Sequence, residues 1–141
     1  MNENYTIVYV EKPGQDEWSA IGQGISDYNQ QQAGDEQAQR ICFVVKAEDD
    51  TIVGGIICAI YWNWLYVDLL WLEEKMRGQG YGHQLMVKAE DEARKRGAKK
   101  AYLDTFSFQA PDFYKQHGYQ VFGELSDFPA GHQRYFLTKE L

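Results

Sequence analysis

The residues best placed for chemistry lie in one stretch, residues 64–96, WLYVDLLWLEEKMRGQGYGHQLMVKAEDEARKR. Gly78, Gly80 and Gly82 alternate behind Arg77, with Gln79, Tyr81 and His83 interleaved. Alternating glycines remove side chains where a ligand must approach the backbone closely. A helix is expected from Gly82 to Arg96. Its first N–H groups lack intrahelical partners, and the positive end of its dipole points back at the turn. That combination is an anion site, most naturally for phosphate. Asp68 is the only charge in the apolar run 65–72. A carboxylate there is costly unless partnered, so it is either a general base or a structural acid held by a backbone N–H or a tyrosine hydroxyl. Glu73, at the end of the run, is a second candidate base, and a water chain would need no single base.

Other chemistries fit less well. No Gly-Lys-Ser/Thr follows the turn, which excludes a P-loop. The turn is mid-chain and led by an arginine, unlike a dinucleotide fingerprint. Cys42 and Cys58 sit in apolar, strand-like runs and read as buried thiols of a reducing compartment. Neither has the neighbours of an activated nucleophile, and no Cys/His spacing suggests zinc, so no metal is expected. His83, His117 and His132 are scattered and read as surface or helix-end residues. The net charge of -7 argues against nucleic-acid binding and favours a cationic or neutral substrate. There is neither a leader pattern nor a run of ~20 apolar residues, so no membrane association is expected and the cytoplasm is the expected location.

The elements that must position these residues follow from periodicity. The 141 residues, 44% hydrophobic and 15% aromatic, suffice for one domain spanning residues 1–141. Residues 5–10 alternate and read as a first strand. Residues 17–23 read as a short helix interrupted by Gly22 and Gly24. Residues 27–32 read as a second helix or a mobile loop, either covering a substrate or merely connecting. Residues 40–47 and 51–60 form a hairpin about an acidic turn, and Gly54-Gly55 suggests a bulge or a close backbone approach. The aromatics of residues 61–64 line a pocket or pack a loop. Residues 65–72 read as a strand covered on both faces, with Asp68 on the side of Tyr66, Leu70 and Leu72. In the helix, Leu85, Met86, Ala89 and Ala93 form a core stripe. Glu90–Arg94, Asp91–Lys95 and Glu92–Arg96 line its solvated face. A strand at 101–106, a short helix begun by Pro111 and ended by Gly118, and strands at 119–124 and 133–139 complete the chain.

With these elements in place, Arg77-Gly78-Gln79-Gly80-Tyr81-Gly82 resembles the (Gln/Arg)-x-x-Gly-x-(Gly/Ala) signature of the GCN5-related N-acetyltransferases, the GNAT family. Ala110-x-x-Phe113-Tyr114-x-x-x-Gly118-Tyr119 is similar to a second motif of that family, the short helix beside the acetyl-transfer site. The order of elements matches over nearly the whole chain, residues 16–39 least well. The resemblance implies a mixed α/β fold, a central, mostly antiparallel sheet flanked by helices. It implies acetyl-CoA as co-substrate and direct transfer of its acetyl group to a primary amine through a ternary complex. Backbone groups of Leu70, Trp71 and Leu72 would hold the pantetheine arm and Gly78 to His83 the pyrophosphate, with Arg77 adding charge. Tyr114 would protonate the leaving thiolate, its alternative being a core aromatic. Many members carry Asn at the position of Ser107, so Ser107 or Gln109 would take over that cofactor contact. The expected acceptor is a small cationic or polar amine. A protein or peptide acceptor, or a non-catalytic acyl-CoA-binding module, are the alternatives. A homodimer is compatible with such a chain.

Overall fold

The computed structural model describes residues 4–141, which form two compact units, one ending at Glu36 and the other Gln37–Leu141. In the first, one helix, α1 (Gln15–Ala33), runs straight through Gly22 and Gly24. The break expected at these glycines does not occur. Each interior glycine costs about 1 kcal/mol relative to alanine, which weakens a helix without ending it. Glu17 Oε1 accepts the Gly14 N–H at 2.7 Å at the start of α1, and Gln15–Ser19 and Gln23–Asp27 pairs brace its surface. Residues 27–32 are its last turns, and Gly34, at φ 81°, ends it. Trp18, Ile21, Ile25 and Tyr28 form an exposed apolar stripe along it. The strand expected at residues 5–10 is absent. Among the described residues this unit holds no second strand, and a lone strand has no ladder to satisfy its backbone.

The second unit is a six-stranded sheet with two helices. Its strands are β1 (Gln39–Lys46), β2 (Ile52–Tyr61), β3 (Trp64–Leu72), β4 (Lys100–Phe106), β5 (Gln120–Ser126) and β6 (Gln133–Glu140), in the order β1-β2-β3-β4-β6-β5. All neighbours are antiparallel except β3 and β4. Helix α2 (Tyr81–Lys95) packs on β1, β2 and β3, and the short α3 (Pro111–Gln116) follows β4. Leu85, Met86, Ala89 and Ala93 of α2 meet Ile41, Ile56, Cys58, Leu65, Val67, Leu103 and Leu137 in one core. Fully burying a Leu, Ile or Met side chain contributes about 1.5–3 kcal/mol, so this stripe fixes α2 to the sheet.

Three local features set up the site. Trp62 and Asn63 both have positive φ, 46° and 63°, so β2 and β3 are joined by a tight two-residue hairpin. Gly54 and Gly55 mark a close approach, as expected. A Cβ on Gly54 would lie 2.5 Å from Leu72 Cδ2, and one on Gly55 would lie 2.8 Å from the Phe43 carbonyl oxygen. In β3 the register against β2 slips, because Val67 faces Cys58 while Leu69 faces Ile57. Asp68 is the extra residue, a β-bulge.

The bulge corrects two expectations. Beyond it the alternation changes phase, so Leu70 and Leu72 pack on the core side with Leu65 and Val67, not with Asp68. Nor is β3 covered on both faces, since Leu69 is 60% and Trp71 52% exposed. Cys58 is buried as expected, but Cys42, on the edge strand β1, is exposed. Glu90 does not belong to a solvated face either. It is 3% exposed and accepts hydrogen bonds from Tyr119 Oη and Lys139 Nζ, both at 2.8 Å. The outer face of α2 carries Arg94–Asp91 and Arg96–Glu92 pairs, each at 2.9 Å.

Candidate functional site

The parallel ladder between β3 and β4 is short. It joins Trp64–Lys100, Leu65–Ala101 and Tyr66–Tyr102, and then the strands part. On its other side β3 stays paired to the end, with Leu70 opposite Ile56, Trp71 opposite Gly55 and Leu72 opposite Gly54. From Val67 to Leu72, therefore, one backbone edge of β3 opens into a wedge. An extended chain carrying amides could add there as a strand does.

The wedge leads to the glycine turn. Gly78 (φ 74°) and Gly80 (φ 87°) sit in left-handed conformations that a side chain strains, and a Cβ at either would meet nothing within 4 Å. Gly80 is the N-cap of α2, and no side chain caps that end. The opening of α2 thus carries no side-chain cap and has free space at Gly78 and Gly80, as an anion cradle requires. Gly82 serves a different need: its Cβ would lie 3.3 Å from the Phe113 ring of α3. Arg77 donates from Nε to the Leu72 carbonyl at 3.0 Å, and Gln79 Nε2 to the Lys75 carbonyl at 2.9 Å, fastening the turn to the end of β3.

Tyr114 sits on α3 and packs, partly buried, against the core. Its ring makes edge contacts with Phe113 (5.2 Å) and Tyr119 (6.3 Å). Burial, with Cys58 and Asp104 nearby, pushes its phenol up to about 12. It therefore keeps its proton at neutral pH, the form that a proton donor needs.

Asp68 lies on the face of the sheet turned away from α2, with Arg40 Nη1 4.0 Å from its Oδ2. The same face carries a group that the sequence reading missed. Asp104 Oδ1 accepts from Arg134 at 3.0 Å (Nε) and 2.7 Å (Nη2), and Tyr66 Oη donates to its Oδ2 at 3.4 Å. Tyr66 stacks on Tyr102 at 4.8 Å, and Tyr102 hydrogen-bonds Tyr61. Burial, with Asp104 next, holds the Tyr66 phenol above its ordinary value. The available signal was the one used for Asp68, a lone acid in an apolar strand, here 101–106. Ser107 and Gln109 are engaged at the end of β4. Ser107 Oγ accepts from Gln133 N at 3.0 Å, and Gln109 Oε1 accepts from Phe106 N at 2.9 Å and from Thr105 Oγ1 at 3.1 Å. A ligand would be met by the Ser107 hydroxyl proton or the Gln109 NH2.

His83 and His117 are not scattered. His83 Nδ1 and His117 Nε2 lie 3.1 Å apart across the α2–α3 contact.

Comparison with known proteins now decides the family. The model of the acetyltransferase (GNAT) family matches residues 5–119. The chain belongs to that family. A GNAT domain of this kind is an acetyl-CoA-dependent acetyltransferase. Blasticidin-S acetyltransferase of Streptomyces morookaense is 39% identical over 95 residues, 67% of this chain and 70% of that protein. The crystal structure of an acetyltransferase from Bacillus cereus superposes with a TM-score of 0.86 at 36% identity, covering 95% of this chain and 98% of that one. One from Agrobacterium tumefaciens superposes with a TM-score of 0.91 at 31% identity, over 97% and 100%. The mixed, mostly antiparallel sheet with flanking helices is thus the GNAT fold. Among the described residues no helix is long and apolar enough to cross a membrane.

Proposed function

We propose that this GNAT domain transfers the acetyl group of acetyl-CoA directly to a primary amine of a small cationic molecule. The observation that carries the reading is the continuity of the open β3 edge, Val67 to Leu72, with the uncapped turn Gly78–Gly82. The coenzyme's diphosphate would rest on the N–H groups that open α2, up to His83. Its pantetheine arm would run along Leu70, Trp71 and Leu72 in the wedge. Arg77 adds positive charge while tied to Leu72, and Tyr81 flanks the turn at the first helical position. Ser107 or Gln109 would touch the arm from the β4 side.

The acceptor would approach over the face opposite α2, where Asp68 supplies a partly exposed carboxylate and Tyr66 and Tyr102 supply flat surface. Asp68, directly or through water, would take the proton from the ammonium so that a neutral amine attacks the thioester carbonyl. As the C–N bond forms and the C–S bond breaks, Tyr114 would give its proton to the departing sulfur, and the proton shed by the acylated nitrogen would pass through water to restore the phenol. The similarity to an acetyltransferase named for blasticidin S, together with the net charge of -7, supports a cationic small molecule over a peptide. Thiol release with blasticidin S, a polyamine, an amino acid and a lysine-containing peptide tests this. Turnover confined to small cationic amines is expected. Turnover confined to the peptide would mark a protein acetyltransferase, and coenzyme binding without turnover a non-catalytic module.

A further inference from the structure

Two histidines occupy the contact between the cofactor turn and α3. His83 lies in the first turn of α2, three residues past Gly80, and is exposed. His117 caps the end of α3, three residues past Tyr114, and is half-buried. Their rings lie 4.6 Å apart, with Nδ1 of His83 and Nε2 of His117 separated by 3.1 Å. Phe113 packs on His117 at 4.9 Å, and the same Phe113 limits the space at Gly82. A nitrogen pair at this distance needs one N–H donor and one bare acceptor. The pair therefore accommodates one extra proton on its outer nitrogens readily, and a second only against like-charge repulsion. The charged groups facing His117 from the neighbouring elements are His83 and Glu90 of α2 and Lys139 of β6. Burial and the His83 charge hold it below the ordinary histidine value, Lys139 adds to that effect, and Glu90 opposes it.

We propose that His83 and His117 form a proton-accepting pair that supplies a titratable cation to the coenzyme's diphosphate. The inference rests on the coenzyme reading above and goes beyond it, since the turn alone would bind at any pH. In the free protein burial and the neighbouring His83 disfavour the charged form of His117. A diphosphate at the opening of α2 favours the charged form, so binding takes up a proton. The sign follows: affinity rises as pH falls through the histidine range, between the lowered value of His117 in the free protein and its higher value in the complex. A one-unit rise on binding corresponds to about tenfold in affinity.

The test is calorimetric titration with dephospho-CoA, whose diphosphate, unlike the 3′-phosphate of CoA, has no ionisation near pH 6. Measurements at pH 5.5, 6.5, 7.5 and 8.5, in two buffers of different ionisation heat, read affinity and proton uptake together. The wild type should bind about three- to tenfold more tightly at pH 5.5 than at pH 8.5, with net proton uptake. The double variant His83→Asn/His117→Gln, checked for folding by its thermal transition, should show neither effect. His117→Gln alone keeps a hydrogen-bonding group opposite His83 but removes one of the two proton acceptors, so its pH dependence and proton uptake should be smaller than those of the wild type. An unchanged pH dependence in the double variant, or the full wild-type pH dependence in His117→Gln, would overturn the pair. Binding by the wild type with no pH dependence would overturn this inference but leave the coenzyme reading intact, whereas absence of binding at every pH would overturn both.

Discussion

Gly82 and Phe113 meet so closely that a methyl group on the glycine would stand 3.3 Å from Cε1 and Cζ of the ring. This contact joins the turn that opens α2 to the helix that carries Tyr114. Gly82→Ala gains helix propensity, about 1 kcal/mol, but pushes the ring by a few tenths of an ångström. The thermal transition should move by only a few degrees. Misplacement of Tyr114 should lower kcat by roughly three- to tenfold. Steady-state thiol release beside a thermal melt separates the two effects. A wild-type kcat would show that the contact does not set the position of the tyrosine.

At Gly80 the φ of 87° and the open space ahead of it act together. Gly80→Val strains a left-handed N-cap and places branched carbons where the diphosphate would lie. KM for acetyl-CoA should rise at least tenfold. An unchanged KM in a folded variant would remove the turn from the binding site.

Tyr114→Phe should lower kcat by about 10²-fold with little change in KM, because the proton is given up only in the transition state. Its phenol is pushed up to about 12, so the acid form persists below that pH and is lost only as pH rises through it. At saturating substrates the wild-type kcat should therefore show no basic limb up to about pH 10. Full activity in the variant would make Tyr114 a packing residue.

Glu90 is buried between Lys139 and Tyr119, at 2.8 Å from each. Glu90→Ala leaves a mostly buried ammonium and a phenol without their acceptor, a loss of about 3–5 kcal/mol. The thermal transition should fall by roughly 10 °C or more, given a few degrees per kcal/mol at this chain length. A shift under 2 °C would show that the pair relaxes into solvent.

What could be read in the sequence was what is local. The glycine turn, the α2 stripe from Leu85 to Ala93, the hairpin about residues 48–50 and the Pro111–Gly118 helix each carry their cause within a few residues. The misreadings share the opposite property. Asp68 changes the phase of β3 by a one-residue bulge against β2, which leaves no mark in composition. Glu90 has a helical partner in Arg94 by spacing, but its close partner is Lys139, on a strand 49 positions away. His83 and His117 are 34 positions apart and meet only because α3 lies against the opening of α2. Asp104 repeats the signal of Asp68, yet only the fold adds Arg134 and Tyr66 to it. The helix α1 survives Gly22 and Gly24 because a glycine's cost is smaller than that of ending a braced helix.

Titration calorimetry of the folded protein with CoA and, separately, with pantetheine addresses the central claim most directly. Saturable one-to-one binding of CoA, with pantetheine at least tenfold weaker for want of the diphosphate, is the expected result. No heat with CoA, or equal affinity for the two, would contradict a coenzyme site built on the uncapped opening of α2.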